Sequence, residues 1–240
     1  MDTIKVKDHG NTKMIAHRGL SGLEKENTMA AFVAAGNRSY FGIETDVRKA
    51  ADGEFVIFHD DVTSRVAAVN YEIGKTPLDI LQQVVLNDID GEKGRVDLRI
   101  PTLSDYIRIC KKYDKKCVLE LKDHFSVEDI KQIVSLIERE EYINNVIFIS
   151  FSLDNLIDLR KIKPNQEIQF LIWEFTDDVY KALKKYNFTL DIHYPHITKE
   201  IVEKLHEDNI KVNVWTCDNV DDAEKLIEYG VDFITTNIME

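Results

Sequence analysis

Gly42-Ile43-Glu44-Thr45-Asp46-Val47-Arg48, then Lys49-Ala50-Ala51-Asp52-Gly53, then Glu54-Phe55-Val56-Ile57-Phe58-His59: how these residues pair decides how the chain folds. Both flanks are rich in β-branched and aromatic residues, and each reads as a strand. Only about five residues separate them, whereas a crossover between parallel strands needs a dozen or more. The two runs must therefore form an antiparallel hairpin, with turn chemistry supplied by Ala51-Asp52-Gly53. A turn near Ala51 and Asp52 sets Asp46 near Ile57 and Glu44 near His59, give or take a residue.

Seven further strand-like runs surround the hairpin: Lys13 to Ala16, Lys116 to Leu121, Val146 to Ser150, Ile168 to Trp173, Thr189 to His193, Lys211 to Thr216 and Val231 to Thr235. Amphipathic stretches of helical period lie between them, at Thr28 to Asn37, Leu103 to Tyr113, Val127 to Glu141, Leu153 to Ile162, Asp178 to Tyr186, Lys199 to Glu207 and Val220 to Tyr229. Ser126 and Thr198 stand where N-caps belong, and Asn187 and Gly230 where helices stop. With Glu54 to His59 set aside as a hairpin arm, eight strands alternate with seven helices. Such alternation makes either a closed parallel barrel or a doubly wound sheet. No Gly-x-Gly-x-x-Gly turn follows any strand, and polar residues gather at the carboxyl ends of several strands, where barrel sites are built. The expected fold is therefore α/β, a (β/α)₈ TIM-type barrel over residues 1–240. It carries an antiparallel hairpin arm and a small insertion at about 61–101 after the second strand. No helix follows the last strand: either the outer ring has a gap that residues 1–12 or a partner subunit cover, or the final helix was cut away.

The chain has 240 residues, 44% hydrophobic and 31% charged, which suits a protein with a proper core. Its 31 Lys and Arg against 43 Asp and Glu give a net charge of -12. That balance disfavours nucleic acid and anionic lipid, and a phosphate-bearing substrate would need a local cation. Cys110, Cys117 and Cys217 sit in apolar runs and read as buried thiols. No stretch reads as a signal peptide or a membrane span, and the chain reads as a cytoplasmic protein of unassigned oligomeric state.

Chemistry-bearing residues cluster at the strand ends. The first strand runs into His17-Arg18-Gly19, where Gly19 allows a sharp turn and Arg18 adds a fixed cation. Glu44 and Asp46, two apart in one strand, face the same side. Two carboxylates on a buried face repel each other and lose hydration unless a cation lies between them. The hairpin brings the His59 imidazole alongside them. Glu120 and Lys122 likewise point one way, and buried Glu120 needs either a metal or Lys122 as partner. Trp215, at another carboxyl end, either packs in the core or walls a substrate pocket. Trp173 and His193 occupy comparable ends and read as structural. Ser150-Phe151-Ser152 lacks the Gly-x-Ser-x-Gly elbow of an acyl-transfer nucleophile.

The ordered set His17-Arg18-Gly19, Glu26-Asn27-Thr28 with Ala31-Phe32, Glu44-x-Asp46-Val47, Asp52-Gly53, Val56 to His59-Asp60, Pro101-Thr102-Leu103, Glu120-Leu121-Lys122, Trp215-Thr216 and Gly230-Val231-Asp232 resembles the signature of the glycerophosphodiester phosphodiesterases, from about residue 14 to 237. The resemblance implies a divalent cation, Ca²⁺ or Mg²⁺, on Glu44, Asp46 and Glu120. It further implies His17 and His59 as the acid/base pair, Arg18 and Lys122 on the phosphate, and a small-molecule glycerophosphodiester as substrate. Trp215 is assigned to the substrate wall. Two departures stand out: Ala50-Ala51 replaces the Thr-Lys usual before the Asp-Gly turn, and the family's final helix is missing. The nucleophile is either the substrate's free 2-hydroxyl, giving a cyclic phosphate, or water. Rival readings are a phospholipase or sphingomyelinase of related barrel form and a non-catalytic barrel that binds without turnover.

Overall fold

The computed structural model describes residues 2–92 and 94–240; Met1 and Lys93, which fall within the expected domain and insertion, lie outside the described residues. Eight parallel strands close on themselves: β1 (Lys13–Ala16), β2 (Gly42–Lys49), β4 (Lys116–Leu121), β5 (Val146–Ser150), β6 (Glu167–Ile172), β7 (Thr189–His193), β8 (Val212–Trp215) and β9 (Phe233–Thr236). Closure comes from β1, which pairs with β2 on one side and β9 on the other. The helices α1 (Met29–Gly36), α3 (Leu103–Lys112), α4 (Val127–Arg139), α5 (Leu153–Ile162), α6 (Asp177–Tyr186), α7 (Lys199–Glu207) and α8 (Val220–Tyr229) fill the crossovers, and α2 (Leu78–Leu81) is a single turn in the insertion. This is the (β/α)₈ barrel expected.

Local chemistry explains the element ends. Thr102 and Ser126 each close a capping box with the Asp three residues on. Thr198 accepts from the Ile201 amide, and Asn187 (φ 54°) and Gly230 (φ 86°) stop α6 and α8 in the left-handed conformation. Strand residues facing outward join the helices in the main core. Those facing inward, among them Ile15, Val118, Ile147, Ile149, Leu171 and Phe233, form a separate cluster that fills the barrel lumen.

The arm β3 (Phe55–Ile57) pairs antiparallel with β2, as the short connection requires, with a register one residue from the expected centre and within the margin given to it. Val47 lies opposite Ile57, so Asp46 faces Phe58. The cause is the loop: Ala50 N–H donates to the Glu54 carbonyl at 2.8 Å, leaving three residues at the tip, with Gly53 at φ 91°. A left-handed glycine closing a three-residue hairpin replaces the two-residue turn. The ladder ends at Ile57, and His59 is fixed instead by Arg48, whose Nε and Nη2 donate to its carbonyl at 2.9 and 2.8 Å. The insertion builds its own small core from Val66, Ala67, Ile73, Leu81, Leu86 and Leu98, packed under Val56 and Phe58 of the arm.

After β9 the chain pairs with residues near its start. Ile4 bridges Met239, and the Val6 amide donates to the Glu240 carbonyl at 3.0 Å. The buried Glu240 carboxylate gathers three segments: it accepts from Thr3 Oγ1 and Lys5 Nζ at 2.5 Å each, and from the Ser39 N–H at 2.9 Å. Glu240→Ala would remove a buried carboxylate from partners that are themselves half-buried or exposed and can turn to water, and should lower the melting temperature by roughly 2–4 °C. An unchanged melting curve would show that this knot does not hold the ends.

Candidate active site

One cavity of about 400 Å³ opens at the carboxyl ends of the strands, and His17, Arg18, Glu44, His59, Glu120 and Lys122 line its polar end. Asp46 lies just behind, buried at 1% exposure. The sequence-predicted residues thus come from β1, β2, the arm and β4 to one place.

Strand pairing sets the acids. β2 and β4 run in register with Asp46 beside Glu120, and Glu44 lies one inward position below Asp46. Carboxylate oxygens of Glu44, Asp46 and Glu120 all lie within 4.8 Å of one another, and all three residues are buried. The sharp turn after β1 folds back over them. Arg18 (φ 53°) as well as Gly19 (φ 77°) adopts the left-handed conformation, which is strained for a residue with a Cβ. A Cβ on Gly19 would sit 2.8 Å from the carbonyl carbon of Ala31, so α1 can pack here only against glycine. In return the Arg18 N–H donates to Glu44 Oε2 at 2.8 Å, and its guanidinium comes to 3.7 Å from Asp46 Oδ2. Lys122 Nζ lies 3.1 Å from Glu120 and 3.8 Å from Asp46.

The acids divide the charge unequally. Burial opposes ionisation of Asp46, but Arg18, His59, Lys122 and a hydrogen bond from Asn27 hold its pKa down at about 2. Burial, then the neighbouring charges of Asp46 and Glu120, push Glu44 well above the usual carboxylate range. Burial and Asp46 bring Glu120 up to about 7 despite Lys122. Three oxygen donors at such spacing, two of them reluctant to ionise alone, fit a hard divalent cation.

Both imidazoles are oriented from behind. His17 Nδ1 donates to Asn237 Oδ1 at 2.8 Å, and the amide orientation follows from Asn237 Nδ2 donating to Asp218 at 2.5 Å. His17 Nε2 then faces the acids, 3.9 Å from Glu44. His59 Nδ1 donates to Asp60 Oδ1 at 2.6 Å, which likewise frees its Nε2. Burial and the Arg18 charge lower the His17 pKa to about 4. Burial lowers that of His59 too, against the pull of Asp46 and Asp60. A chain of ion pairs joins these supports: Arg65 grips both oxygens of Glu26, which holds Arg18 at 2.9 Å, and reaches Asp60 at 2.5 Å.

Several contributors carry no assignment in the sequence reading. Asn27, left-handed and buried, donates to Asp46 at 2.7 Å and accepts from Thr45. Its place in Glu26-Asn27-Thr28 was the available signal. Asp60 had its adjacency to His59, whereas Asn237, Asp218 and Arg65 had none, because only the closed fold brings them near. Asp191, inward on β7, has one carboxylate oxygen buried without a partner. Phe151 and Trp173, the latter read as structural, line the cavity's other end beside Trp215.

Known proteins share this fold. Residues 17–240 match the glycerophosphoryl diester phosphodiesterase family. A glycerophosphodiester phosphodiesterase of Caldanaerobacter subterraneus is 30% identical over 231 residues, 94% of each chain. Among solved structures, a phosphodiesterase from Oleispira antarctica in complex with the product sn-glycerol-3-phosphate superposes with a TM-score of 0.83 at 27% identity, over 94% of this chain and 92% of that one. A glycerophosphodiester phosphodiesterase from Parabacteroides distasonis gives 0.78 at 29%, over 95% and 93%. The fold is thus that of the barrel phosphodiesterases. The chain belongs to the glycerophosphoryl diester phosphodiesterase family.

The raised Glu120 pKa has a consequence for stability. Between the ordinary value of 4.5 and about 7 the folded chain binds the proton and the unfolded chain does not, so this group's stabilisation is lost as pH rises through that window. His17, whose pKa is lowered, contributes the opposite slope between about 4 and 6.5, so the wild type alone does not isolate the effect. With chelator present, Glu120→Gln should melt progressively higher than wild type as pH goes from 5 to 8. A difference independent of pH would contradict the charge distribution described above.

Proposed function

We propose that this chain hydrolyses glycerophosphodiesters to glycerol 3-phosphate and an alcohol, with one divalent cation, Ca²⁺ or Mg²⁺, on Glu44, Asp46 and Glu120. The observation that carries this reading is the convergence, in one cavity, of three clustered acids, two fixed cations and two imidazoles with free Nε2 atoms. The Oleispira relative's complex with sn-glycerol-3-phosphate supports the substrate class. Residues 1–240 are read as one barrel domain, with 61–101 as an insertion that braces the arm.

A cation held by Glu44, Asp46 and Glu120 would supply Lewis-acid polarisation of the phosphoryl group and offset the chain's negative field. Arg18 and Lys122 take the remaining phosphate oxygens. Arg18 Nε is buried without a hydrogen-bond partner, which leaves a donor for that purpose. The two cations share the charge that grows on the equatorial oxygens as the bond to the leaving alcohol breaks. His17, backed by a neutral amide and beside Arg18, is the neutral imidazole and takes the proton of the nucleophile, either a water or the substrate's 2-hydroxyl, whose cyclic phosphate a water then opens to glycerol 3-phosphate. His59, where the Asp46 and Asp60 carboxylates offset part of the burial that disfavours its charged form, is the imidazole that gives a proton to the departing alkoxide. Trp215 closes the wall opposite, with its indole N–H buried and unpartnered.

His17→Ala and His59→Ala should each lower kcat by roughly 10²–10⁴, and the double variant should lose far less than the product of the two. Exhaustive chelation should abolish turnover, with restoration on adding Ca²⁺ or Mg²⁺. Full activity without metal would reject the cation, and near-normal turnover by either variant would remove that histidine from the mechanism.

A further inference from the structure

The cavity has two unlike ends. Opposite the acids and histidines stands a cluster of aromatic rings: Phe151 after β5, Trp173 after β6, His193 at the end of β7 and Trp215 at the end of β8. Phe151 and Trp173 lie nearly parallel, 21° apart with centroids at 6.0 Å, and Trp215 stands across both, at 88° to Phe151 and 70° to Trp173 with centroids 5.6 and 4.8 Å away, so the three rings make a corner. His193 packs against both tryptophans at 5.0 and 5.2 Å. Large side chains are normally hidden, yet Trp173 is 57% exposed and Phe151 40%. Core packing accounts for neither of them.

Electrostatics narrows what such a corner receives. Among the described residues no Lys or Arg lies over these four rings, although lysines and arginines sit over several other aromatic rings of the barrel. No side-chain cation therefore occupies the corner, in a chain of net charge -12, and the exposed sides of Trp173 and Phe151 remain open to a ligand. Burial, with His196 nearby, lowers the His193 pKa, so this ring brings no positive charge near neutral pH. Free aromatic faces meeting at steep angles attract a cation that has no N–H groups to satisfy and little hydration to lose. A primary ammonium is strongly hydrated and asks for acceptors that these rings do not offer.

We propose that the corner of Phe151, Trp173, His193 and Trp215 is a subsite for a quaternary ammonium group on the leaving alcohol, which makes choline-type glycerophosphodiesters the preferred substrates. This rests on the phosphodiesterase reading for the phosphate end and adds a selectivity that the reading does not contain. The cavity, about 400 Å³, spans from the acids to the corner. A diester whose phosphate lies by Arg18 and Lys122 can thus direct its alcohol at the rings.

Two measurements test it, one of them independent of turnover. Trp173 and Trp215 are the chain's two tryptophans, so intrinsic tryptophan fluorescence reports on this corner alone. Titration of the metal-loaded enzyme with tetramethylammonium chloride should change that emission saturably. Neither 3,3-dimethylbutan-1-ol, the uncharged isostere of choline, nor sodium chloride should do so at the same concentrations. In kinetics, kcat/KM for glycerophosphocholine should exceed that for glycerophosphoethanolamine by about five- to thirtyfold. Trp173→Ala should bring the ratio close to one, and Trp173→Phe should keep most of it; the exposed position tolerates both, which melting curves would check. A wild-type ratio at or below one, a ratio untouched by Trp173→Ala, or an equal fluorescence response to the isostere overturns the proposal. If the enzyme cleaves none of these diesters, the phosphodiesterase reading itself falls, and the fluorescence titration still decides what the corner binds.

Discussion

Three carboxylates packed within 4.8 Å at the mouth of a barrel repel one another, and the rest of the site is arranged around that repulsion. Left alone, buried like charges are resolved by protonation, as the raised Glu44 and Glu120 show. Asp46 stays ionised because it alone has Arg18, Lys122 and the Asn27 amide beside it. The left-handed turn at Arg18 and Gly19 follows from the same need. It aims a backbone N–H at Glu44 and swings a guanidinium over Asp46.

The hydrogen bonds behind these groups extend the arrangement outward. Arg65, on the inserted segment, touches both Glu26 and Asp60, which hold Arg18 and His59. The insertion therefore does more than cover the arm: it ties the cation that follows β1 to the imidazole that follows β3. On the opposite side Asp218 and Asn237 hold His17, so residues that follow β8 and β9 orient a side chain that follows β1. Barrel closure makes the first and last strands neighbours, and this is why the pairing is local in space and remote in sequence.

How much of this was legible in the sequence depended on range. The hairpin could be read because a short connection forbids a parallel pair, and Glu44 with Asp46 because strand alternation puts both on one face. Both signals live within a few residues. The register sits one residue from its expected centre because Gly53 closes a three-residue loop, a choice that Ala51-Asp52-Gly53 leaves open. Asn237, Asp218 and Arg65 were invisible, since nothing near them in the chain marks them as supports for a distant histidine or arginine. Trp173 and His193 looked structural one at a time, and only the fold shows Trp173 lining one cavity with Phe151 and Trp215, with His193 packed against both tryptophans.

That the three acids form a cation site is the claim on which the others stand, and metal binding measured by calorimetry tests it most directly. Ca²⁺ or Mg²⁺ titrated into metal-stripped protein near pH 6.5, in two buffers of different ionisation enthalpy, should bind at one site per chain. Protons should be released on binding, because an arriving cation displaces those held by Glu44 and Glu120. Glu44→Gln and Glu120→Gln should each weaken binding and reduce the proton release. Absence of binding, or binding indifferent to both substitutions and to the buffer, would contradict the account.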